Sequence, residues 1–304
     1  MTSTAAVPVG NSTTVRPISQ TARLTALRST FAFLDRAAPA ISGRLATRIW
    51  CTLPNSRGAR RDDRPIPGLT APPNEVSTVT LPGNRQVAVE SWGEGPRVYL
   101  VHGWGGWRGQ LGAFVEPLAA RGHQVVAFDA PSHGESSPGR QGPRRSTGLE
   151  MMEALQAVVG AYGPPAAIVA HSLGAATTAW SIRDGLAAPE RLALIAPTVG
   201  PVPYIRAMAR MLGFTDRTRN AMINRFETMF GRPIGDFDVL TVGAGMPPTL
   251  IIHDQRDKEV AFGEAEQIAA AWPSSQLVST DGLGHQRILR DSSVVSKVVD
   301  YVTT

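Results

Sequence analysis

Short runs of apolar and β-branched residues recur from about residue 75 onward and alternate with longer amphipathic stretches. Runs such as VYLV, VVAF, AIVA and LIIH contain no polar position, which is typical of strands buried on both faces of a parallel sheet. The first two runs alternate more and lie close together, so we expect an antiparallel hairpin at the sheet edge. Strands are predicted over residues 76–81, 86–92, 97–101, 124–128, 166–170, 191–196, 248–253 and 276–280.

The stretches between the later strands have apolar residues at helical spacing. Together the two patterns predict an α/β fold, with a mostly parallel eight-stranded sheet covered by helices on both faces. Residues 197–247 interrupt the alternation with two apolar helical stripes, which include Met208 and Phe226, and predict a helical cap inserted between two strands. The other helices are predicted at about 109–121, 147–161, 173–185, 262–272 and 291–302.

Residues 1–74 differ from the rest of the chain and are predicted to form an N-terminal extension to a main domain at 75–304. Residues 1–20 are rich in Ser, Thr, Val and Pro and lack periodicity, so we expect them to be disordered. Residues 52–74 contain clusters of Pro, Gly and Arg and are predicted to form a basic linker.

Between these segments, residues 24–50 carry apolar side chains at steps of three or four, which predicts an amphipathic helix. Pro39 and Gly43 are expected to kink or break it. Its arginines lie mostly off the apolar stripe. We favour packing of the stripe on the main domain, and the alternative is a basic helix that lies on an anionic membrane.

Composition and charge exclude several classes of protein. The chain has 304 residues and contains no run of about 18 apolar residues, which a membrane-spanning helix would need. Its single cysteine, Cys51, excludes an intramolecular disulfide and a cysteine-based metal centre, which fits a cytoplasmic location.

The net charge of +5 is concentrated in the extension. Residues 1–65 hold ten Arg and three acidic residues, whereas the remainder holds 20 basic and 22 acidic residues. Because the main domain has no excess of positive charge, we expect no nucleic-acid partner.

A serine at a strand–helix junction is the first candidate for chemistry. The run AIVA leads directly into His171, Ser172 and Leu173, and a helical stretch follows. A serine at such a sharp turn exposes its hydroxyl above the sheet, and crowding demands small residues two positions before and after it. Ala170 and Gly174 meet that demand. The pattern favours a nucleophilic serine over an ordinary helix N-cap residue.

A glycine-rich segment, HGWGG at residues 102–106, follows another predicted strand. Glycines let backbone amides approach a ligand closely. A hydrolytic serine needs such donors, because negative charge builds on the carbonyl oxygen during attack. The sequence therefore predicts that the amides of Trp104 and Leu173 form an oxyanion hole.

A nucleophilic serine also needs a base, and an acid that orients the base. His285 lies in a loop between the last predicted strand and the last helix. Asp257 lies on the loop after strand 248–253, at the same end of the sheet as Ser172. Asp254 precedes it on that loop and is a rival for the acid role.

From about residue 75 to its end, the chain resembles the α/β-hydrolase family, in particular bacterial esterase-like members with a small helical cap. Its N-terminal helix and basic linker also resemble extensions of some bacterial members. Ala170 and Asp254 depart from the family pattern, which has glycine at both positions. That pattern has its acid three residues beyond the second glycine and so implies Asp257. Five segments at predicted strand ends carry the resemblance: HGWGG at 102–106, DAPSHGES at 129–136, HSLG at 171–174, HDQRDKEV at 253–260 and GLGH at 282–285.

The resemblance implies a serine hydrolase that cleaves a small or medium, partly apolar carboxylic ester through an acyl-enzyme, with Ser172 as nucleophile, His285 as base and Asp257 as acid. A thioesterase, lactonase or cofactor-free perhydrolase would use the same three residues. A non-catalytic binding protein on the same scaffold, and a lipase docked on a membrane through its N-terminal helix, are further hypotheses.

Four residues are expected near the substrate, namely Trp104, His171, Met208 and Phe226. The Met and Phe side chains of the cap would either line an apolar pocket or form the core of the cap itself. Neither a metal nor a cofactor is expected, because no His, Asp or Glu cluster has metal-ligand spacing and the nucleotide-binding glycine motifs are missing.

Three other histidines are expected to be structural. His102 and His133 would brace the turns near the oxyanion segment through hydrogen bonds. His253 would support the acid loop.

Overall fold

A computed structural model describes residues 20–54 and 69–304. Residues 1–19, most of the predicted disordered start, and 55–68, the middle of the predicted linker, lie outside the described residues.

The core of the molecule is an eight-stranded sheet. Its strands are β1 Glu75–Leu81, β2 Arg85–Trp92, β3 Arg97–Val101, β4 Gln124–Phe128, β5 Ala167–His171, β6 Arg191–Ile195, β7 Thr249–Asp254 and β8 Ser275–Thr280. They lie in the order β1-β2-β4-β3-β5-β6-β7-β8. Strand β2 pairs antiparallel with β1 and β4, and the other pairings of the sheet are parallel. The predicted mostly parallel sheet with an edge hairpin is confirmed.

Helices cover both faces of this sheet. The α-helices are α1 Gln20–Ala37, α2 Pro39–Trp50, α3 Val115–Ala119, α4 Gly148–Tyr162, α5 Leu173–Arg183, α6 Pro201–Leu212, α7 Asp216–Phe230, α8 Phe262–Ala271, α9 Gly284–Arg287 and α10 Ser292–Val302. The 3₁₀ helices are Arg108–Phe114, Ile234–Phe237, Val239–Gly245 and Ile288–Arg290.

Strand β3 shows why the apolar runs lack polar positions. Tyr99 and Val101 pack into a cluster with residues of α4, α5 and α8 on one face of the sheet. Val98 and Leu100 point to the other face, where they pack with residues of α3 and α10. Because successive side chains of a strand point to opposite faces, a strand between two helical layers must be apolar throughout.

The sequence correctly predicts a break in the N-terminal helix at Pro39, but the expected kink or break at Gly43 is absent. Helix α1 ends at Ala37 and α2 begins at Pro39, because proline disfavours a helical conformation in the residue before it. Gly43 lies inside α2 and does not break it. A β-carbon at Gly43 would lie 2.7 Å from that of Ala221, so this glycine allows close packing of α2 on α7.

Helices α6 and α7 are inserted between β6 and β7, where a cap is predicted, and we refer to them as the cap; the N-terminal helices pack on them. One apolar cluster joins Phe31 and Ala46 of the extension to Met208, Met222 and Phe226 of the cap. Much of the apolar stripe of residues 24–50 is thus packed against the cap, whereas Ile41 is 54% exposed. No helix in the described ranges is long and apolar enough to cross a membrane.

A buried carboxylate of the extension caps helix α7. Asp35 is only 4% exposed, and its carboxylate accepts hydrogen bonds from the amides of Thr215 and Thr218 and from the Thr215 hydroxyl. Amides at a helix N-terminus lack partners within the helix and carry partial positive charge. Asp35, a residue of the extension, therefore stabilises the N-terminus of α7.

Candidate active site

The carboxyl ends of the parallel strands meet at one edge of the sheet, under the cap. The segments that follow β3, β5, β7 and β8 carry Trp104, Ser172, Asp257 and His285 respectively. A cavity of about 390 Å³ lies at this edge, and Ser172, His285, Trp104 and Leu173 are among its lining residues. The topology thus brings four predicted residues, distant along the chain, to one place.

Ser172 occupies a sharp turn between β5 and α5. Its backbone has φ 54° and ψ −124°, a conformation that non-glycine residues rarely adopt. Its amide donates a hydrogen bond to the Ile195 carbonyl at the end of β6, which ties the turn to the sheet. The side chain remains partly exposed, as a nucleophile requires.

Two glycines allow the close packing around this turn. A β-carbon at Gly103 would lie 2.8 Å from the β-carbon of Ser172, and one at Gly174 would lie 2.4 Å from the His102 carbonyl oxygen. Real β-carbons do not make such contacts. The glycine-rich segment after β3 can therefore lie directly beside the serine only because neither position has a side chain.

Asp257 and His285 form a hydrogen-bonded pair. Asp257 Oδ2 lies 2.7 Å from His285 Nδ1, and both side chains are shielded from solvent. This bond places the Nδ1 proton toward the carboxylate and leaves Nε2 unprotonated in the neutral ring, as a general base requires.

The loop around Asp257 keeps that carboxylate ionised. Asp257 Oδ1 accepts hydrogen bonds from the amides of Glu259 and Val260, and His253 Nε2 lies 3.4 Å from Oδ2. Burial by itself raises the pKa of Asp257, but the bonds from His253, His285 and the two amides outweigh it and lower the pKa well below its usual value. His253 also donates to the Val260 carbonyl at 3.1 Å.

The rival carboxylate, Asp254, has a different role. It is fully buried, and its Oδ2 accepts hydrogen bonds from the Thr280 hydroxyl and the Leu283 amide, each at 2.8 Å. Its Oδ1 accepts from the Arg256 amide. Asp254 therefore fastens the acid loop to the loop that carries His285, and it makes no hydrogen bond to the imidazole.

The amides of Trp104 and Leu173 are oriented by the two turns that border the cavity. Within the described residues neither amide donates a hydrogen bond, and Leu173 is the first residue of α5, where amides have no partner in the helix. Both residues line the cavity. This arrangement can hold an oxyanion.

Two buried histidines brace the glycine-rich segment. His102 Nδ1 donates to the Gly103 carbonyl at 2.7 Å, and its Nε2 accepts from the Ala130 amide at 3.0 Å. His133 Nε2 accepts from the Gly105 amide at 3.1 Å. Burial lowers the pKa of His102 to about 4 and that of His133 to about 3, so both rings stay neutral and can accept these bonds.

His171 holds the base loop as well as lining the cavity. Its Nε2 donates to the backbone carbonyl of His285 at 3.0 Å, and the two ring centroids lie 4.6 Å apart. Burial lowers the pKa of His171 to about 3.

Ser172 and His285 line the same cavity, but in the described structure their side chains make no direct hydrogen bond to each other. Such contacts are often long without substrate and tighten when a substrate binds. In the part of the chain that the structure describes, no three His, Cys, Asp or Glu side chains come together as ligands for one metal ion.

Met208 and Phe226, the two residues predicted in the cap, both pack in the cluster with the N-terminal helices, but only one of them reaches the cavity. Phe226 lines the cavity, whereas Met208 is not part of its wall. Met208 is 7% exposed and packs in the cluster between the cap and the N-terminal helices. The helical stripe identifies both as inward-facing, but only the tertiary packing decides which of them faces the cavity.

Sequence reasoning missed the contribution of the extension to the cavity. Trp50 and Pro54 both line it. The polar residues Glu259 and Gln286 beside His285 were also missed. Glu259 and Gln286 could have been found because they lie close to Asp257 and His285 along the chain. No comparable signal marks Trp50 as a cavity residue.

Comparisons with known proteins agree with this architecture. The profile of the alpha/beta hydrolase family matches residues 98–296. A curated relative, the pimeloyl-[acyl-carrier protein] methyl ester esterase of Nitrosospira multiformis, is 28% identical over 177 residues, which cover 57% of this chain and 65% of the relative.

Two solved esterases share the fold. The thermophilic esterase of Thermogutta terrifontis has a TM-score of 0.57 at 20% identity, over 76% of this chain and 100% of its own. The esterase EaEST of Exiguobacterium antarcticum has a TM-score of 0.59 at 16% identity, over 76% of this chain and 100% of its own. On the profile match, which spans most of the sheet and the cap, the chain belongs to the α/β-hydrolase family.

Proposed function

We propose that this protein is a serine hydrolase that cleaves a small or medium, partly apolar carboxylic ester through an acyl-enzyme intermediate. The observation that carries the proposal is the 2.7 Å bond from the buried Asp257 to His285, which lines the same cavity as Ser172. A carboxylate-oriented imidazole beside a serine on a strained turn is the arrangement that activates a hydroxyl nucleophile.

In the acylation step, Ser172 Oγ attacks the carbonyl carbon of the ester and His285 Nε2 takes the hydroxyl proton. The negative charge that develops on the carbonyl oxygen is held by the amides of Trp104 and Leu173. The intermediate collapses when the C–O bond to the alcohol breaks, and His285 returns the proton to the departing oxygen. Asp257 stabilises the imidazolium between these two transfers.

In the deacylation step, water takes the place of the alcohol. His285 Nε2 accepts a proton from the water as its oxygen attacks the acyl carbon, and the proton then passes to Ser172 Oγ as the acyl–serine bond breaks. The products are a carboxylic acid and the regenerated enzyme. His171 takes no proton in this scheme and acts by holding the backbone of His285.

Ester chemistry is further supported by the curated relative, whose name describes a methyl ester esterase. The thioesterase, lactonase and perhydrolase alternatives use the same residues and are compared directly by one substrate panel of p-nitrophenyl esters, acyl-CoAs and lactones. We expect the oxygen esters to be turned over with the highest kcat/KM.

The deciding experiment is labelling with a fluorophosphonate probe together with ester turnover by Ser172→Ala. We expect the wild-type chain to be labelled at Ser172 and the variant to lose up to about 10⁶-fold in kcat. Ser181→Ala is a matched control, because the buried Ser181 hydroxyl lies in α5 and has no hydrogen-bond partner in the described structure. Retained hydrolysis by Ser172→Ala, or no labelling of the wild-type chain, contradicts the proposal.

A further inference from the structure

The N-terminal extension supplies part of the wall around Ser172. Trp50, the last residue of α2, lines the cavity, and so does Pro54, four residues further along. The Trp50 ring packs on Phe226 of the cap, with centroids 6.0 Å apart and planes at 64°. A segment outside the sheet and the cap therefore takes part in shaping the candidate active site.

Trp50 is one end of a continuous row of aromatic rings. Phe226 stacks on Phe230 at 5.3 Å, Phe230 contacts Phe237 at 5.4 Å, and Phe237 contacts Trp180 at 5.1 Å. All five side chains line the cavity. The row runs from the extension through the cap to α5 and forms one apolar wall, which we call the aromatic wall.

The residues around His285 are polar by contrast. Gln286 donates a hydrogen bond to Glu259 and accepts one from Gln110, each at 3.4 Å. Glu259 Oε2 lies 4.0 Å from His285 Nε2. These three polar residues also line the cavity.

The chemistry of the reaction assigns the two sides. His285 must protonate the departing alcohol, so that group has to leave on the polar side beside the imidazole. The acyl group is then directed away from His285, toward the aromatic wall. Burial of an aliphatic chain against these rings is favourable at about 25 cal/mol per Å² of apolar surface.

The extension is fixed to the main domain on the other side of Trp50. The Cys51 carbonyl accepts a hydrogen bond from the Ser146 amide at 3.0 Å, and the Leu53 amide donates one to the Arg144 carbonyl at 2.9 Å. Pro54 packs against Gly105 of the oxyanion segment, where a β-carbon would lie 2.5 Å from Pro54 Cγ. Contacts on both sides of Trp50, with α7 and with loops of the main domain outside the cap, thus hold this residue in place.

We infer that the N-terminal extension closes the acyl pocket and that Trp50 sets the length of the aliphatic acyl chain that the enzyme accepts. This inference rests on the proposed function. Trp50 is a specificity-determining residue rather than a catalytic one, since it faces the acyl chain and not the reacting atoms.

The test is the acyl-chain selectivity of the full-length chain. The kcat/KM values for p-nitrophenyl acetate, butyrate, hexanoate and octanoate are measured for the wild type, Trp50→Ala, Trp50→Phe and Ile49→Ala. Ile49→Ala is the matched control, because Ile49 precedes Trp50 in α2 and packs in the cap cluster without lining the cavity. Thermal unfolding of each variant reports whether it is folded.

We expect the octanoate-to-butyrate ratio of kcat/KM to rise at least about tenfold in Trp50→Ala, since a single methylene group is worth about 10-fold or more in an apolar pocket. Trp50→Phe, which keeps a ring and tests the inference if the alanine variant fails to fold, is expected to give a smaller rise. Ile49→Ala is expected to leave the ratio unchanged, even if its midpoint of unfolding falls.

Two outcomes overturn the inference and are distinguishable. If the wild type hydrolyses the esters but both Trp50 variants keep its chain-length ratio, the extension is only a structural support. If the wild type neither reacts with the fluorophosphonate probe nor hydrolyses any ester, the proposed function itself fails and the inference fails with it.

Discussion

Asp257 accepts a 2.7 Å hydrogen bond from Nδ1 of His285, whereas Asp254, three positions earlier, binds Thr280 and the Leu283 amide instead. The two carboxylates lie on one loop, but only one of them orients the imidazole. Asp257 thus fixes the orientation of the imidazole, whereas Asp254 joins its loop to the loop that carries His285.

The first prediction concerns these two carboxylates. Asp257→Asn is expected to lower kcat by about 10⁴-fold, because the amide cannot hold the imidazole in the tautomer that accepts the serine proton. Asp254→Asn is expected to lower the free energy of unfolding with a much smaller effect on kcat. Ester turnover and urea unfolding of both variants check this, and the reverse pattern would assign the acid role to Asp254.

The second prediction concerns the contact between Gly103 and Ser172. Gly103→Ala is expected to lower kcat about 10²-fold, because the new β-carbon displaces the serine or the oxyanion segment and small misplacements are costly. Gly160→Ala is the control: Gly160 lies in α4 with no neighbouring atom within 4 Å of an added β-carbon. That variant is expected to keep its activity and to gain up to about 1 kcal/mol in helix stability. Equal activities of the two variants would contradict the prediction.

The third prediction concerns the Asp35 carboxylate at the N-terminus of α7. Asp35→Asn is expected to lower the free energy of unfolding by about 1 kcal/mol at neutral pH, since it removes a charged cap. Burial raises the pKa of Asp35, but bonds from Thr215 and Thr218 outweigh it and lower the pKa below its usual value. The stabilisation is therefore complete above the unfolded-state pKa and is lost as the pH falls through the folded-state pKa.

Chemical unfolding of the wild type and Asp35→Asn at neutral and acidic pH checks the third prediction. The difference between them should shrink below about pH 4. Asp216→Asn is the comparison variant, because Asp216 is an exposed first-turn residue of the same helix. A pH-independent difference for Asp35→Asn would mean that its charge does not contribute.

The fourth prediction concerns the buried neutral histidines. Burial lowers the pKa of His102 to about 4 and those of His133 and His171 to about 3. Below about pH 6.5 the unfolded chain binds protons at these positions that the folded chain does not, so stability falls with acid. Each histidine adds up to about 1.4 kcal/mol per pH unit to that slope.

Urea unfolding between about pH 7 and pH 4 measures this slope. His133→Gln is expected to reduce it, because one of the three groups has been removed. Stability that stays constant over this range would show that these rings take up protons within the folded protein.

The sequence predicted local structure correctly where a pattern of neighbouring residues is compatible with only one conformation. The uninterrupted apolar run of β3 predicts a strand between two helical layers, and Ala170 and Gly174 indicate a crowded turn around Ser172. Each of these patterns depends on neighbours along the chain, and the structure has both the strand and the strand–helix turn where they are predicted.

Predictions from local sequence patterns were incomplete where packing between segments that are distant along the chain determines the structure. Residues 109–121 are not one helix, because the glycine-containing start forms the 3₁₀ helix Arg108–Phe114 and only α3 is α-helical. Met208 and Phe226 have equivalent positions in apolar stripes and both pack in the cluster with the extension, yet only Phe226 also lines the cavity. The capping of α7 by Asp35 joins residues 180 positions apart and has no signature along the chain.

The attachment of α7 to α1 and α2 also restricts how this helix can move over the cavity that Ser172 lines. Because Asp35 holds one end of this helix and Trp50 packs on Phe226 near its other end, the helix cannot swing away from the sheet alone. It must either carry both N-terminal helices along or rupture the joint, and the hydrogen bonds of Cys51 and Leu53 oppose the first of these motions. Some thirty residues of α1 and α2, which lie outside the sheet, therefore help to hold α7 over the cavity that Ser172 lines.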